Sequence, residues 1–261
     1  MNLLLTLAIG GVALLYASVG HAGATGYIAV MTLFGMAPLV IRPTALVLNV
    51  IVAAIATAQF WRAGHFRSRL FLPLAVASVP AAAVGGAIDL PTAAFEAVVG
   101  VVLLVAAARI FRAVRSESVS DSIQSAFPVE PRLFSFPFMA GLGGALGLLS
   151  GLTGVGGGVF LTPALLAMRA APVRQVAAVS APFILVNSIA GLVGGFASGR
   201  AMPTIDAEVI AAVVVGGGVG SQLGAFRLPP RALQCPMAVV LGGAGIKLLA
   251  NVTMAYGFSS L

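Results

Sequence analysis

Two glycine-rich segments contain the residue types best suited to binding a ligand through the backbone. They run from Gly20 to Gly26 and from Gly151 to Gly158, and each holds one threonine hydroxyl. A helix N-terminus that follows such a segment offers free N–H groups and a positive dipole end, which favour an anion. Glycine also lets these N–H groups approach a ligand closely. We therefore predict an anion site lined by Gly23, Thr25, Gly26, Thr153, Gly154, Gly156, Gly157 and Gly158. The alternative is that the glycines serve only helix packing or chain reversal.

Two asparagines and one histidine extend this candidate site. Asn49 and Asn187 lie centrally in apolar stretches, where a buried amide must find hydrogen-bond partners. A substrate contact and a helix–helix contact both remain open for them. His21 is the only ionisable side chain in the first glycine-rich segment. It is a candidate for anion contact or proton coupling, and the alternative is a neutral histidine hydrogen-bonded to unwound backbone.

The acidic residues argue against a cation carrier and against catalysis. Cation carriers and proton pumps usually place Asp or Glu at membrane depth. A catalytic triad needs an acid to orient its histidine, and a metal site needs a cluster of ligands at useful spacing. None of these is evident, so we predict no catalytic residue, no metal site, no cofactor and no enzyme activity. All seven carboxylates fall in connections or near the ends of apolar stretches: Asp89, Glu96, Glu117, Asp121, Glu130, Asp206 and Glu208.

Composition indicates a polytopic membrane protein. The 261 residues are 60% hydrophobic and 8% charged, against about 25% charged in soluble domains, and the mean hydropathy is +1.10. The net charge of +7 comes from basic residues in short connections between apolar stretches. Orientation in a lipid bilayer explains this distribution better than nucleic-acid binding does. A single cysteine, Cys235, excludes an internal disulfide.

The apolar stretches predict an all-α fold with about eight long transmembrane helices. A span needs about 20 mainly apolar residues. The two shorter apolar pieces, 26–37 and 157–168, follow the glycine-rich segments and suit broken or re-entrant helices. The long candidates are 2–19, 43–61, 70–88, 92–111, 136–152, 175–198, 207–226 and 232–250.

The two halves of the chain have the same order of features, which predicts an internal repeat. We divide the chain into a first transmembrane repeat (1–112), a polar linker (113–135) and a second transmembrane repeat (136–261). Each repeat has a long span, a glycine-rich break, a short apolar piece, a proline and a span with a central asparagine. Paired interruptions in two repeats are typical of a transporter's binding site.

The Lys and Arg positions favour inverted repeats over parallel ones. We place the connection at 62–69 in the cytoplasm. If the short pieces merely extend the preceding spans, 9 basic residues lie inside and 5 outside. If each short piece returns across the membrane, four arginines move in and two basic residues move out, giving 9 + 4 − 2 = 11 inside and 3 outside. The positive-inside rule prefers the second arrangement, which puts both termini on the outer face.

The motifs resemble the sulfite exporter TauE/SafE family. The second glycine-rich segment, followed by Pro163, resembles the glycine-rich signature of that family, and the run from Ser18 to Tyr27 is similar to its first-repeat signature. Residues 42–66 also look like a subgroup of it, and the similarity extends from about 2 to 250. One departure is that Ala22 and Ala24 stand in the first break where the second is richer in glycine.

The resemblance implies a multi-pass permease of the bacterial cytoplasmic membrane for small sulfur-containing anions such as sulfite, sulfonates or sulfoacetate. We expect a secondary carrier with the anion bound near the midplane, between the two breaks and beside Asn49 and Asn187. The direction of transport does not carry over from the family. The rival interpretations are a channel for small anions or neutral molecules and a non-transporting membrane assembly factor. The sequence leaves the oligomeric state open, including a homo-oligomer.

Overall fold

The computed structural model describes residues 3–18, 20–124, 134–168, 170–226 and 234–257. Within these ranges all regular secondary structure is α-helical, as the composition predicts. The helices are α1 (Leu3–Ser18), α2 (Ala24–Leu33), α3 (Pro38–Arg62), α4 (Ser68–Ala87), α5 (Thr92–Gln124), α6 (Phe136–Thr153), α7 (Gly158–Ala167), α8 (Val173–Ala197), α9 (Ala207–Phe226) and α10 (Gln234–Gly257).

Both glycine-rich segments interrupt the helices, which confirms the predicted breaks. The first break separates α1 from α2 and the second separates α6 from α7. Their glycines adopt positive φ angles, which disfavour residues with a Cβ. Each following helix has 10 residues, a length of about 15 Å that is half of the ~30 Å hydrocarbon core. The left-handed glycines are Gly20 (φ 79), Gly23 (φ 101), Gly154 (φ 76), Gly156 (φ 77) and Gly157 (φ 77).

Five helices of the described residues are long and apolar enough to cross a membrane, namely α3, α4, α6, α8 and α9. Helix α1 and the 92–108 part of α5 are apolar but shorter. This agrees with a multi-pass membrane protein, and the number of eight long spans stays a prediction.

The predicted linker at 113–135 begins within a helix, since α5 continues to Gln124. Residues 113–124 contain neither glycine nor proline, the residues least favourable inside a helix, although many of them are polar. Residues 125–133 lie outside the described part of the chain. The division into two repeats and a linker stays a prediction.

Three helices of the first half have the same lengths as three of the second, and the two halves pack reciprocally. Helices α2 and α7 both have 10 residues, α3 and α8 both have 25, and α4 and α9 both have 20. Helix α4 packs on α6 and α8 of the second half, while α9 packs on the corresponding α1 and α3 of the first. Helices α3 and α8 also pack on each other, and so do α5 and α10.

The α3–α8 pair and the α5–α10 pair both run antiparallel. On α3, Leu46 lies against Gly191 of α8, whereas Phe60 clusters with Ala177 at the other end of α8. In the other pair, Gly100 lies against Leu249, and Ala107 lies near Gly242. In both pairs the residue number rises along one helix as it falls along its partner.

Glycines at every fourth position bring two helix pairs into close backbone contact. Small residues at this spacing let transmembrane helices approach closely. A Cβ at Gly143, Gly147 or Gly151 of α6 would overlap a backbone carbonyl oxygen of α4, and one at Gly216, Gly220 or Gly224 of α9 would overlap one of α1. These six glycines are therefore packing residues.

Candidate functional site

The two helix breaks meet in the interior of the protein. A Cβ built on Gly158 would lie 3.6 Å from Cδ2 of His21. A Cβ built on Gly156 would lie 2.5 Å from Nδ2 of Asn49 and 3.2 Å from Oγ of Ser188. The structure thus brings both breaks together with the central parts of α3 and α8.

Most of the predicted site residues are sealed from solvent. The side chains of Thr25, Asn49, Thr153 and Asn187 are each 0% exposed, and His21 is partly exposed. The glycines of the site are buried as well: Gly23, Gly26, Gly154, Gly156, Gly157 and Gly158. Thr25, Asn49, Thr153 and Asn187 are therefore out of contact with solvent, whereas His21 is not.

The threonine hydroxyls both donate within the protein. Thr25 donates to the hydroxyl of Tyr16 at 3.1 Å. Thr153 donates to the carbonyl of Leu149 at 2.6 Å and accepts from the N–H of Val155 at 3.3 Å, so it stabilises the turn that ends α6. A ligand contact by either hydroxyl proton requires a change of partner.

The two asparagines each keep one amide oxygen without a hydrogen-bond partner. Nδ2 of Asn49 donates to the carbonyl of Val155 at 3.5 Å and to Oγ of Ser188 at 3.4 Å. Nδ2 of Asn187 donates to the carbonyl of Phe183 at 2.7 Å. Their buried Oδ1 atoms are unpartnered. An unmet buried acceptor costs about 1–3 kcal/mol, which a water molecule or another donor can offset, whereas an oxyanion would have to accept from the Nδ2 groups.

Neither short helix has a side-chain N-cap. The N-cap residues are Gly23 of α2 and Gly157 of α7, both in the left-handed conformation and neither making a side-chain capping bond. The first-turn N–H groups therefore receive no side-chain acceptor from the cap position. Uncapped helix N-termini of this kind are suited to an anion.

Two serines beside the predicted site residues were not predicted from the sequence to lie there. Ser188 contacts Asn49, and Ser150 has a buried hydroxyl with no hydrogen-bond partner. A Cβ on Gly157 would lie 3.4 Å from Cβ of Ser150. Their sequence signal was adjacency, because Ser188 follows Asn187 and Ser150 precedes the second glycine-rich segment.

Comparison with known proteins agrees with the motifs. The model of a family described as Sulfite exporter TauE/SafE matches residues 4–248. The chain belongs to this family. The Probable membrane transporter protein y4hK of Sinorhizobium fredii is 40% identical over 246 residues, which cover 94% of this chain and 97% of that protein. No solved structure matches the chain. The resemblance drawn from the motifs is confirmed, and the family and the relative indicate an integral, multi-pass membrane transporter of the TauE/SafE type.

This TauE/SafE protein also holds a buried arginine next to its second break. Arg42 of α3 is 7% exposed, and its Nε and Nη2 atoms donate to the carbonyl of Gly151 at 3.0 and 2.6 Å. Nη2 also donates to the carbonyls of Gly85 at 2.6 Å and Gly86 at 3.1 Å, and Nη1 donates to that of Ile88 at 3.1 Å. These carbonyls lie toward the C-terminal ends of α4 and α6, where the helix dipole favours a cation. Arg42 was not among the site residues predicted from the sequence.

Proposed function

We propose that this protein is a secondary carrier that moves a small sulfur-containing anion, of the sulfite, sulfonate or sulfoacetate type, across a bacterial cytoplasmic membrane. The observation that carries the proposal is that the two glycine breaks, each followed by an uncapped helix N-terminus, approach each other at His21 and Gly158. Non-helical backbone at membrane depth is tolerated where protein or a water-filled cavity satisfies it. The family is described as a sulfite exporter family, and this supports the class of substrate.

The proposed binding site lies between the two breaks, near the middle of α3 and α8. Backbone N–H groups at Gly23, Gly26 and Gly156–Gly158 supply donors, and Thr25 and Thr153 supply hydroxyls. The N–H of Gly154 donates to the carbonyl of Ser150 at 2.9 Å, so Gly154 lines the proposed site without donating to it. Asn49 and Asn187 contribute their amides. The bonds of Asn49 Nδ2, at 3.4 and 3.5 Å, are longer than the usual 2.7–3.2 Å. The amide of Asn49 therefore gives up only weak hydrogen bonds when it turns toward a ligand.

His21 is the proposed residue for proton coupling. It lies beside Gly158 of the opposite break and is partly exposed. An imidazole can change its charge near neutral pH. A protonated His21 would add a positive charge beside the anion, and its deprotonation would weaken anion binding.

We propose that the two repeats are inverted. A pseudo-two-fold axis in the membrane plane makes corresponding helices antiparallel where they cross. The antiparallel packing of α3 on α8 and of α5 on α10 supports this arrangement, and so does the count of 11 inside and 3 outside basic residues. Alternating access then follows from movement of one repeat against the other around the site.

Labelling of single cysteines tests this topology. We expect Ser68→Cys to react with an impermeant thiol reagent only from the cytoplasmic side and Ser198→Cys only from the outer side, with Cys235 replaced by serine. Both serines are exposed and lie in matching connections, Ser68 where the α3–α4 connection meets α4 and Ser198 where α8 meets the α8–α9 connection. Measurement in right-side-out and inside-out vesicles gives the sidedness of each residue. Reaction of both cysteines from the same side would contradict inverted repeats.

Replacement of the asparagines tests the site. We expect Asn49→Leu and Asn187→Leu to lower the rate of sulfite or sulfoacetate uptake into proteoliposomes by about tenfold or more, since a hydrogen bond to a charged group contributes about 1.5–3 kcal/mol. The thermal unfolding midpoint should stay unchanged or rise, because leucine has the same branched shape and removes an unpartnered buried oxygen.

Asn251→Leu is the matched control, because Asn251 lies on α10 and donates to Glu96, away from the two breaks. It should leave uptake at the parent rate. If Asn49→Leu and Asn187→Leu lower the unfolding midpoint while the remaining folded protein transports normally, the asparagines are helix–helix contacts and the proposed site is wrong.

A further inference from the structure

A cavity that is partly open to the surface lies between the N-terminal part of α3 and the C-terminal part of α8, and its volume is about 20 Å³. This is room for about one water molecule, so a ligand larger than water has to lie at the open mouth of the cavity. Its walls are apolar except for two arginines. The lining residues that matter here are Arg42, Leu46, Gly191, Phe196, Arg200 and Met202.

The two arginines have different partners. Arg200 forms an ion pair with Asp89, with Nε 2.8 Å from Oδ1, and also donates to the carbonyls of Gly86 and Ile88. The hydrogen bonds of Arg42 all go to carbonyl oxygens. The guanidinium pair thus faces a single carboxylate at this cavity, which leaves an excess positive charge.

Arg42 lies between the cavity and the proposed binding site. It precedes Asn49 by seven residues on α3, which is about two helical turns or roughly 10 Å along the same helix face. It also touches the second break, because a Cβ on Gly154 would lie 3.0 Å from Cγ of Arg42. Arg42 therefore contacts both the cavity and the second break.

The guanidinium can exchange one of its partners for an anion oxygen. Nη2 has two N–H groups and donates to three carbonyls, those of Gly85, Gly86 and Gly151. At least one N–H group is therefore shared between two carbonyls. A charged oxygen is a stronger acceptor than a carbonyl, and the planar fork of arginine matches the spacing of two oxygens on a carboxylate or sulfonate.

We propose that this cavity is an outer anion-binding vestibule and that Arg42 is its selecting residue. The ligand is a small oxyanion, of the carboxylate or sulfonate class. The assignment to the outer face and the identity of the anion as cargo rest on the proposed function. The positive charge of the vestibule is a property of the cavity itself, and it can be measured without transport.

A cysteine in the vestibule reports this charge. Met202 lines the cavity and is 57% exposed, so Met202→Cys in a Cys235→Ser background presents an accessible thiol. Its labelling rate is measured with an anionic reagent, 2-sulfonatoethyl methanethiosulfonate, and with the cationic trimethylammonium analogue. An uncharged methanethiosulfonate corrects both rates for accessibility. We expect the ratio of the anionic to the cationic rate to fall roughly tenfold in Arg42→Gln, because clefts of one charge sign focus the field on incoming ions.

Lys247→Gln is the matched control. Lys247 also donates to carbonyls at a helix C-terminus, those of Thr32 and Leu33 at 2.7 and 3.2 Å, and it does not line the cavity. Its replacement should leave the ratio of labelling rates unchanged. Arg42→Lys keeps the charge and should keep most of the ratio, which provides a second variant if Arg42→Gln does not fold. Sulfoacetate should slow the anionic labelling in the parent and not in Arg42→Gln.

An unchanged ratio in folded Arg42→Gln, or an equal fall in Lys247→Gln, would overturn the vestibule. It would leave Arg42 as a structural tie between α4 and α6. The vestibule and the proposed function fail separately, because a charge-dependent ratio can be present in a protein that moves no sulfur anion, and a working carrier can lack it.

Discussion

Gly156→Ala is expected to abolish transport of the substrate anion, with a loss of at least a hundredfold in the uptake rate. Gly156 has a φ of +77, where an L-residue costs roughly 1–2 kcal/mol. A Cβ at this position would also lie 2.5 Å from Nδ2 of Asn49 and 2.9 Å from Cγ2 of Ile184. One methyl group would therefore strain the second break and displace Asn49 from the proposed site.

Gly35→Ala separates these two effects. Gly35 has the same φ of +77, and an added Cβ has nothing within 4 Å. Its replacement should cost only the backbone strain and leave uptake close to the parent rate. The measurement is uptake into proteoliposomes together with the thermal unfolding midpoint of each variant. Equal uptake in the two variants would show that contact with Asn49 does not matter for transport.

The helix breaks were predictable because their cause is local. A glycine-rich polar segment inside an apolar stretch cannot continue a helix favourably, and the left-handed glycines Gly23, Gly154 and Gly157 are the conformations that such segments supply. The lengths of the apolar stretches predicted the positions of the long helices in the same way. Both signals lie within about 20 neighbouring residues.

The contacts of Arg42 were not predictable from the sequence. Its acceptors are backbone carbonyls, which every residue has, and that of Gly151 is 109 positions away along the chain. No residue type marks such a partner. The same holds for Ser188, whose contact with Asn49 spans 139 positions. The sequence shows that Arg42 is a basic residue beside an apolar stretch, and only the structure shows that α4 and α6 supply its acceptors.

Glycine composition also failed to distinguish glycines that shape the site from glycines that pack helices. In the second break, Gly151 is a packing residue against Ala82 of α4, while Gly156 contacts Asn49. The two lie five positions apart in one segment. Their roles differ because Gly151 lies on the face of α6 that contacts α4, whereas Gly156 lies after that helix has ended. A large side chain on this face of α6 is therefore expected to disrupt the contact between α6 and α4.

Gly147→Leu is expected to prevent folding, whereas Gly141→Leu on the same helix is expected to be tolerated. A Cβ on Gly147 would overlap the carbonyl oxygen of Ser78 and lie 2.6 Å from its Cα. These are backbone atoms, so α4 and α6 must separate along their whole contact. Overpacking of a tight contact costs about 1–3 kcal/mol for a few extra methylenes, and leucine adds four carbons where no space exists.

The outcome is measured as the yield of monodisperse protein in detergent and as the thermal unfolding midpoint. A Cβ on Gly141 has nothing within 4 Å, so leucine there gains about 0.8 kcal/mol of helix propensity without a clash. Both variants place the same side chain in α6, so its hydrophobicity and its effect on membrane insertion are matched. Equal yields would mean that the contact between α4 and α6 is looser than this geometry requires. A loss of folded protein in Gly147→Leu alone would mean that direct backbone contact between α6 and α4 positions the second break. The same contact places the carbonyls of Gly85 and Gly151 where Arg42 donates to both.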